Sequence, residues 1–157
     1  MYLTLKLLHI LSSTVLFGTG LGTAFSMWRA HRQGEPRVVA AVARNVVLAD
    51  WVFTTPAVII QPLTGLALVH LLGYPLTAPW LLVTYVLYVV VGACWLPVVG
   101  LQLRMRQLAD AAVARGEPLP DSYRHCFRRW FALGWPAFAG VIAIFALMVW
   151  KPALWAT

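Results

Sequence analysis

Four histidines are the side chains in this sequence best suited to chemistry near neutral pH: His9, His31, His70 and His125. Their positions sort them into two pairs. His9 sits near the start of the first apolar run, and His70 closes the second. His31 and His125 both stand beside arginines. Taking one boundary of the apolar layer near Leu3 and Gly73, His9 lies ~9 Å in and His70 ~5 Å in, at 1.5 Å per residue. Antiparallel neighbouring helices would hold these two imidazoles at similar depth. Two neutral imidazoles from facing helices are what the opposite axial positions of a b-type haem require. A helical bundle core is where such a group sits. The alternative is that His70 is an interfacial residue and His9 hydrogen-bonds a carbonyl, Ser12 or Ser13. Copper would need a further soft or imidazole ligand at that level. Met105 is at the other end, and Met148 lies only near the outer end of the last helix. His31 and His125 read as solvated or headgroup-contacting residues.

The elements that carry these residues follow from composition. The chain has 157 residues, 61% hydrophobic and 11% charged, with a mean hydropathy of +0.78. That is far more apolar than a soluble domain's surface allows. Charge-free blocks run over Leu7–Trp28, Trp51–Leu103 and Trp130–Trp150. A spanning helix needs about 20 apolar residues. The first and third blocks are one span each. The middle block is two, broken at Gly73-Tyr74-Pro75 with Pro79 following. The expected fold class is all-α: a single polytopic four-helix membrane bundle over residues 1–157. Its spans fall at about 3–28, 48–72, 79–103 and 130–151, with cytoplasmic loops at 29–47 and 104–129. The first span reads as a retained helix rather than a secretory leader, because its core is too long and Met27-Trp28-Arg29 is no cleavage site.

Charge sets the direction. All ten arginines and all five acids fall in the first and third connections with their helix edges. By the positive-inside rule that side is cytoplasmic and both termini face outward. The net charge of +7 then calls for anionic inner-leaflet lipid rather than nucleic acid. Tryptophans 28, 51, 80, 130, 150 and 155 fall near the expected interfaces, as an aromatic belt does. Cys94 and Cys126 lie in different layers, so neither a disulfide nor a metal motif is expected.

A few polar residues interrupt the spans. Gly18 and Gly22 make a G-x-x-x-G in the first helix, with Gly20 between them. Such glycines admit a second helix closely; room for a flat cofactor is the other use. Pro56 and Pro62 bend the second helix and free backbone carbonyls. Gln61 and Thr64 beside them could satisfy those carbonyls or touch a ligand. Asp50 is the one acid next to a charge-free span and needs a partner. Arg44 is too far along the same helix, so Arg29 or Arg129 from a neighbour is expected. Tyr85 and Tyr88 lie one turn apart in the third helix. Gly116-Glu-Pro-Leu-Pro120 ends that helix, and Asp121 or Ser122 caps the fourth.

These residues resemble a known family. Leu5-Lys-Leu-Leu-His9-Ile-Leu with Phe17-Gly18, Gln61-Pro-Leu-Thr-Gly65, Trp95-Leu-Pro97 with Gln102-Leu-Arg-Met-Arg106, and Arg129-Trp130-Phe-Ala-Leu-Gly-Trp-Pro136 look like a bacterial family. Its members are described only as predicted integral membrane proteins with four helices. The first helix alone is also similar to copper-resistance-D-like proteins and to HemJ-like protoporphyrinogen oxidases. In the latter a first-helix histidine ligates haem, which the resemblance carries onto His9. The basic residue those enzymes hold within their third helix has no counterpart before Arg104.

The resulting expectation is a b-type haem protein of the bacterial inner membrane that handles electrons near the outer leaflet. His9 and His70 would be the axial ligands, and Tyr85, Tyr88 and Gly18 would shape the pocket. A haem-dependent membrane oxidoreductase follows if it is an enzyme. Quinone or a redox complex, besides the bilayer itself, would be the partner, in a homo- or hetero-oligomer. The alternative is a non-catalytic small subunit or assembly factor of a larger membrane complex.

Overall fold

The computed structural model describes residues 1–154, all of whose regular structure is helical; Trp155 lies outside the described residues. The first helix, α1, runs over Tyr2–Gln33. Gly34 ends it in the left-handed region at φ 71°, its N–H bonded to the Ala30 carbonyl. Only glycine adopts this backbone without cost, so the chain reverses here. Pro36 then opens α2 (Pro36–Ala49), where its fixed φ suits a first turn and its missing N–H costs nothing.

From α2 the rod continues without a break through a π-helical turn, Asp50–Thr54, into α3 (Thr55–Leu71). In that turn the Thr55 N–H reaches back five residues to the Asp50 carbonyl. Pro56 explains the position. A proline has no N–H to offer and its ring crowds the carbonyl four residues back, here Val52. A widened turn just before it relieves the crowding. Pro79 begins α4 (Pro79–Arg115), which Gly116 ends at φ 67°. The last helix, α5, covers Asp121–Trp150.

Four helical rods, Tyr2–Gln33, Pro36–Leu71, Pro79–Arg115 and Asp121–Trp150, are long and apolar enough to cross a membrane. The 32 residues of α1 measure about 48 Å, well beyond a hydrocarbon layer of about 30 Å. The surplus lies at the arginine-bearing end of every rod. Much of the connections expected at 29–47 and 104–129 is helix, with α4 stopping at Gly116 and α5 starting at Asp121, as the sequence expects.

That end holds the densest core. Met27, Val39, Ala43, Met105, Ala109 and Tyr123 are almost completely buried there. Between the spans burial is sparse, and Leu7, Ile59, Leu63, Val89 and Val149 point outward. The contrast follows from solvent. Water drives apolar faces together at the wet end, whereas lipid tails solvate leucine as well as another helix does.

Within the layer the helices pair. The α1 helix packs chiefly on α3, and α4 on α5. Gly140 of α5 admits Val91 of α4 so closely that a Cβ there would stand 2.6 Å from the Val91 Cγ2. The pairs meet through Phe17, whose ring lies 5.7 Å from Phe138 and 5.6 Å from Phe145 between centroids. At the end opposite the arginines, the Lys151 ammonium donates to the Tyr74 hydroxyl at 3.0 Å and lies 4.7 Å over its ring.

Candidate functional site

His9 and Ser12 occupy one side of α1, and Gln61, Thr64 and Gly65 face them from α3. The His9 ring is held by both nitrogens. Nδ1 lies 3.0 Å from the Thr64 Oγ1, and Nε2 lies 3.2 Å from the Gln61 amide nitrogen. The Thr64 hydroxyl donates back to the Ile60 carbonyl at 2.8 Å, so its oxygen accepts from the His9 Nδ1–H. The Gln61 N–H then donates to the lone pair of Nε2, and the Ser12 hydroxyl donates to the Gln61 Oε1. The His9 main-chain carbonyl, 3.1 Å away, is the alternative acceptor for that one Ser12 hydrogen. A neutral, Nδ1-protonated imidazole satisfies every member of this chain.

Gly65 makes the approach feasible. A Cβ on it would stand 3.1 Å from the His9 Cε1, tighter than ordinary contact. Gln61, Thr64 and Gly65 recur at helical spacing on one edge of α3, which is the edge α1 covers. The expected serine contact is present, but it goes to the His9 backbone. The ring itself is held from the other helix.

His70 is elsewhere. It is exposed, and five residues past Gly65 it is turned by about 140° around α3. The structure does not bring it to His9, and one imidazole with two alcohols and an amide does not fit a bis-imidazole haem. Gly18 is exposed, nine residues from His9 on the opposite side of α1, with nothing within 4 Å of where a Cβ would be. The Tyr88 hydroxyl donates to the Val58 carbonyl. The Tyr85 hydroxyl is buried without a partner, beside the small cluster of Val69, Trp80 and Leu81.

A second polar position lies toward the arginine-bearing end, and it departs from expectation. Asp50 is only 6% exposed and pairs with no arginine among the described residues. Its Oδ1 accepts from the Thr54 hydroxyl at 2.9 Å, and Oδ2 has no partner. Arg44 instead lies 3.8 Å from Asp110, since the continuous α2–α3 rod holds the two apart and α4 passes close to α2.

The inner histidines do not pair. His125 is exposed. His31 stacks on Phe127, ring centroids 3.6 Å apart and planes within 9°. Burial, then the nearby Arg124 and Arg32 charges, hold its pKa below the ordinary value. No group of three histidine, cysteine or acidic side chains suited to a metal ion occurs among the described residues.

No curated protein and no solved structure matches the chain. A family model does, over residues 3–152, nearly the whole chain and every helix described above. The sequence therefore belongs to the family of predicted integral membrane proteins designated DUF2269.

Proposed function

We propose that this protein is a small non-catalytic subunit or assembly factor of a larger complex in the bacterial cytoplasmic membrane, its arginine-rich end in the cytoplasm. One contrast within α1 supports this. Its histidine is saturated by hydrogen bonds inside the α1–α3 seam, while Gly18 and Gly22 stand exposed with open space where side chains would be. The polar residue holds the bundle together. The glycine edge, flanked by exposed Val15 and Phe25, is left for a helix from outside, as small-residue edges serve in membranes. The test is native mass analysis of the tagged protein extracted in mild detergent. A defined assembly should form, and Gly18→Leu with Gly22→Leu should release the chain from it while its helix content persists. A wild-type chain that is monomeric throughout ends this reading.

A second reading keeps haem, with His9 as its one ligand from the protein. It is favoured by the tautomer: Nδ1–H is fixed by Thr64, as ligating histidines are fixed by an outer partner, and the Nε2 lone pair would serve iron once the Gln61 amide that now donates to it turned aside. Bound haem would supply one-electron chemistry, and Thr64 would orient the ring. Absorption spectra of protein expressed with ample haem, oxidised and then reduced with dithionite, decide it. A Soret band lost in His9→Ala and kept in His70→Ala supports this reading. A flat spectrum sinks it.

A further inference from the structure

The continuous α2–α3 rod changes partner along its length. Its α2 part packs on α4, and past the π-helical turn α3 packs on α1. The rod and α4 therefore part at the turn. A cleft of about 210 Å3 opens between them, lined by Val47, Trp51, Trp95, Leu96, Val99 and Leu103 among others. Asp50 and Gln102 border it too, but the Asp50 Oδ2 and the Gln102 Oε1 are buried, and the surface of the cleft is almost wholly apolar. Trp51 is 61% exposed and Leu96 67%, so the cleft opens sideways onto lipid. From Trp95 to Leu103 it follows α4 for about 12 Å.

Two arginines continue its walls toward the wet end. Arg106 comes three residues after Leu103 and seven after Val99, on the same face of α4, and Arg44 comes three residues before Val47 on α2. Arg44 lies 3.8 Å from Asp110. Arg106, partly buried, is in no ion pair among the described residues. Two arginines and one carboxylate leave one net positive charge at this mouth.

We propose that this cleft is a binding site for one anionic phospholipid of the arginine-side leaflet, with an acyl chain against Trp51, Trp95 and Leu96 and the phosphate on Arg106 and Arg44. Three features select that occupant. The wall is apolar and opens onto hydrocarbon, so a methylene chain fills it and supplies the van der Waals contacts its lining atoms need. The cleft is too small for a helix. A helix with its side chains is about 10–12 Å wide and rises 5.4 Å per turn, so one turn alone takes up about 400–600 Å3. The mouth is cationic where the headgroup of a chain seated this way would lie, and basic positions between helices at this level attract anionic headgroups. Asp110 opposes the phosphate and holds part of Arg44, which leaves Arg106 as the main contact. The site lies on the π-helical turn and α4, away from the glycine edge of α1, so it is independent of the subunit role proposed above.

The experiment is native mass spectrometry of the full chain, stripped of lipid in mild detergent and titrated with phosphatidylglycerol or with zwitterionic phosphatidylcholine of the same acyl chains. One phosphatidylglycerol should bind saturably, about fivefold or more tighter than phosphatidylcholine, the effect of one basic residue beside an anionic headgroup. Arg106→Gln should remove most of that preference, and Arg106→Lys, which keeps the charge, should retain it. Asp110→Asn should strengthen phosphatidylglycerol binding, since it raises the net charge of the mouth. Val99→Trp should fill the cleft and weaken binding of both lipids at unchanged helix content. The charge variants at Arg106 and Asp110 stand at the wet edge and test the proposal without it. Equal affinity for the two lipids, indifference to Arg106→Gln, full competition by glycerol phosphate, which carries the charge without a chain, or a dimer that Val99→Trp breaks would each overturn the proposal.

Discussion

Tyr88 on α4 donates its hydroxyl to the main-chain carbonyl of Val58 on α3, the group that Pro62, four residues on, leaves without a helical partner. A proline inside a membrane helix normally leaves such a carbonyl to a neighbouring helix or a side chain. Here the neighbour is the other helix pair, so the kink also joins the two halves of the bundle. Tyr88→Phe should cost about 1 kcal/mol, read as a lower midpoint of thermal unfolding in detergent. In a Pro62→Ala background the main-chain N–H regained at that position satisfies the Val58 carbonyl, and the same tyrosine substitution should cost much less. Additive losses in that double-mutant cycle would sever the link between kink and tyrosine.

The seam around His9 makes a matched prediction. Thr64→Val removes the acceptor of the Nδ1–H and should destabilise by roughly 0.6–2 kcal/mol, the range for hydrogen bonds between membrane helices. Gly65→Ala should also destabilise, since the added Cβ would stand 3.1 Å from the ring. Combined with His9→Ala, the Gly65→Ala penalty should disappear. Its persistence would mean that the glycine serves something other than the histidine.

Gly140 tests the second helix pair. Gly140→Ala would drive a Cβ to 2.6 Å from the Val91 Cγ2 and should lower stability by overpacking, about 1–3 kcal/mol. Val91→Ala should restore most of it. Thermal unfolding of the two single variants and the double variant checks this.

His31, outside the spans, sets a pH dependence. Its pKa in the folded protein lies below the ordinary 6.5, through burial first and then Arg124 and Arg32. The unfolded chain therefore binds a proton more readily than the folded one as pH falls. The stability linked to His31 is complete above 6.5 and is lost as pH drops through that value toward the lower folded one. Midpoints measured from about pH 8 to about pH 5 should fall, and His31→Phe, which keeps the stack on Phe127, should flatten the slope. An equal slope in the variant would assign the effect to another group.

Local composition alone determined the number of spans, their order and the charge on each end. Hydrocarbon tolerates only backbone that is hydrogen-bonded within itself, so about twenty apolar residues between charged edges already mean a helix, and Leu7–Trp28 could be read directly. Arg29, Arg44, Arg104 and Arg129 marked one end of each of the four rods in the same way. Tertiary structure decided which face of each rod looks inward. The spans are apolar all round, so no periodicity distinguishes the α3 edge of Gln61 and Gly65 from the edge of His70. Rotation about a membrane helix's own axis is set by packing on its neighbours. That packing placed His9 among Thr64 and Gln61 rather than opposite His70. It left Asp50 facing Gln102 instead of an arginine. At the wet end the arginine-bearing connections close into a buried helical core, because there the hydrophobic effect acts on whole helix faces.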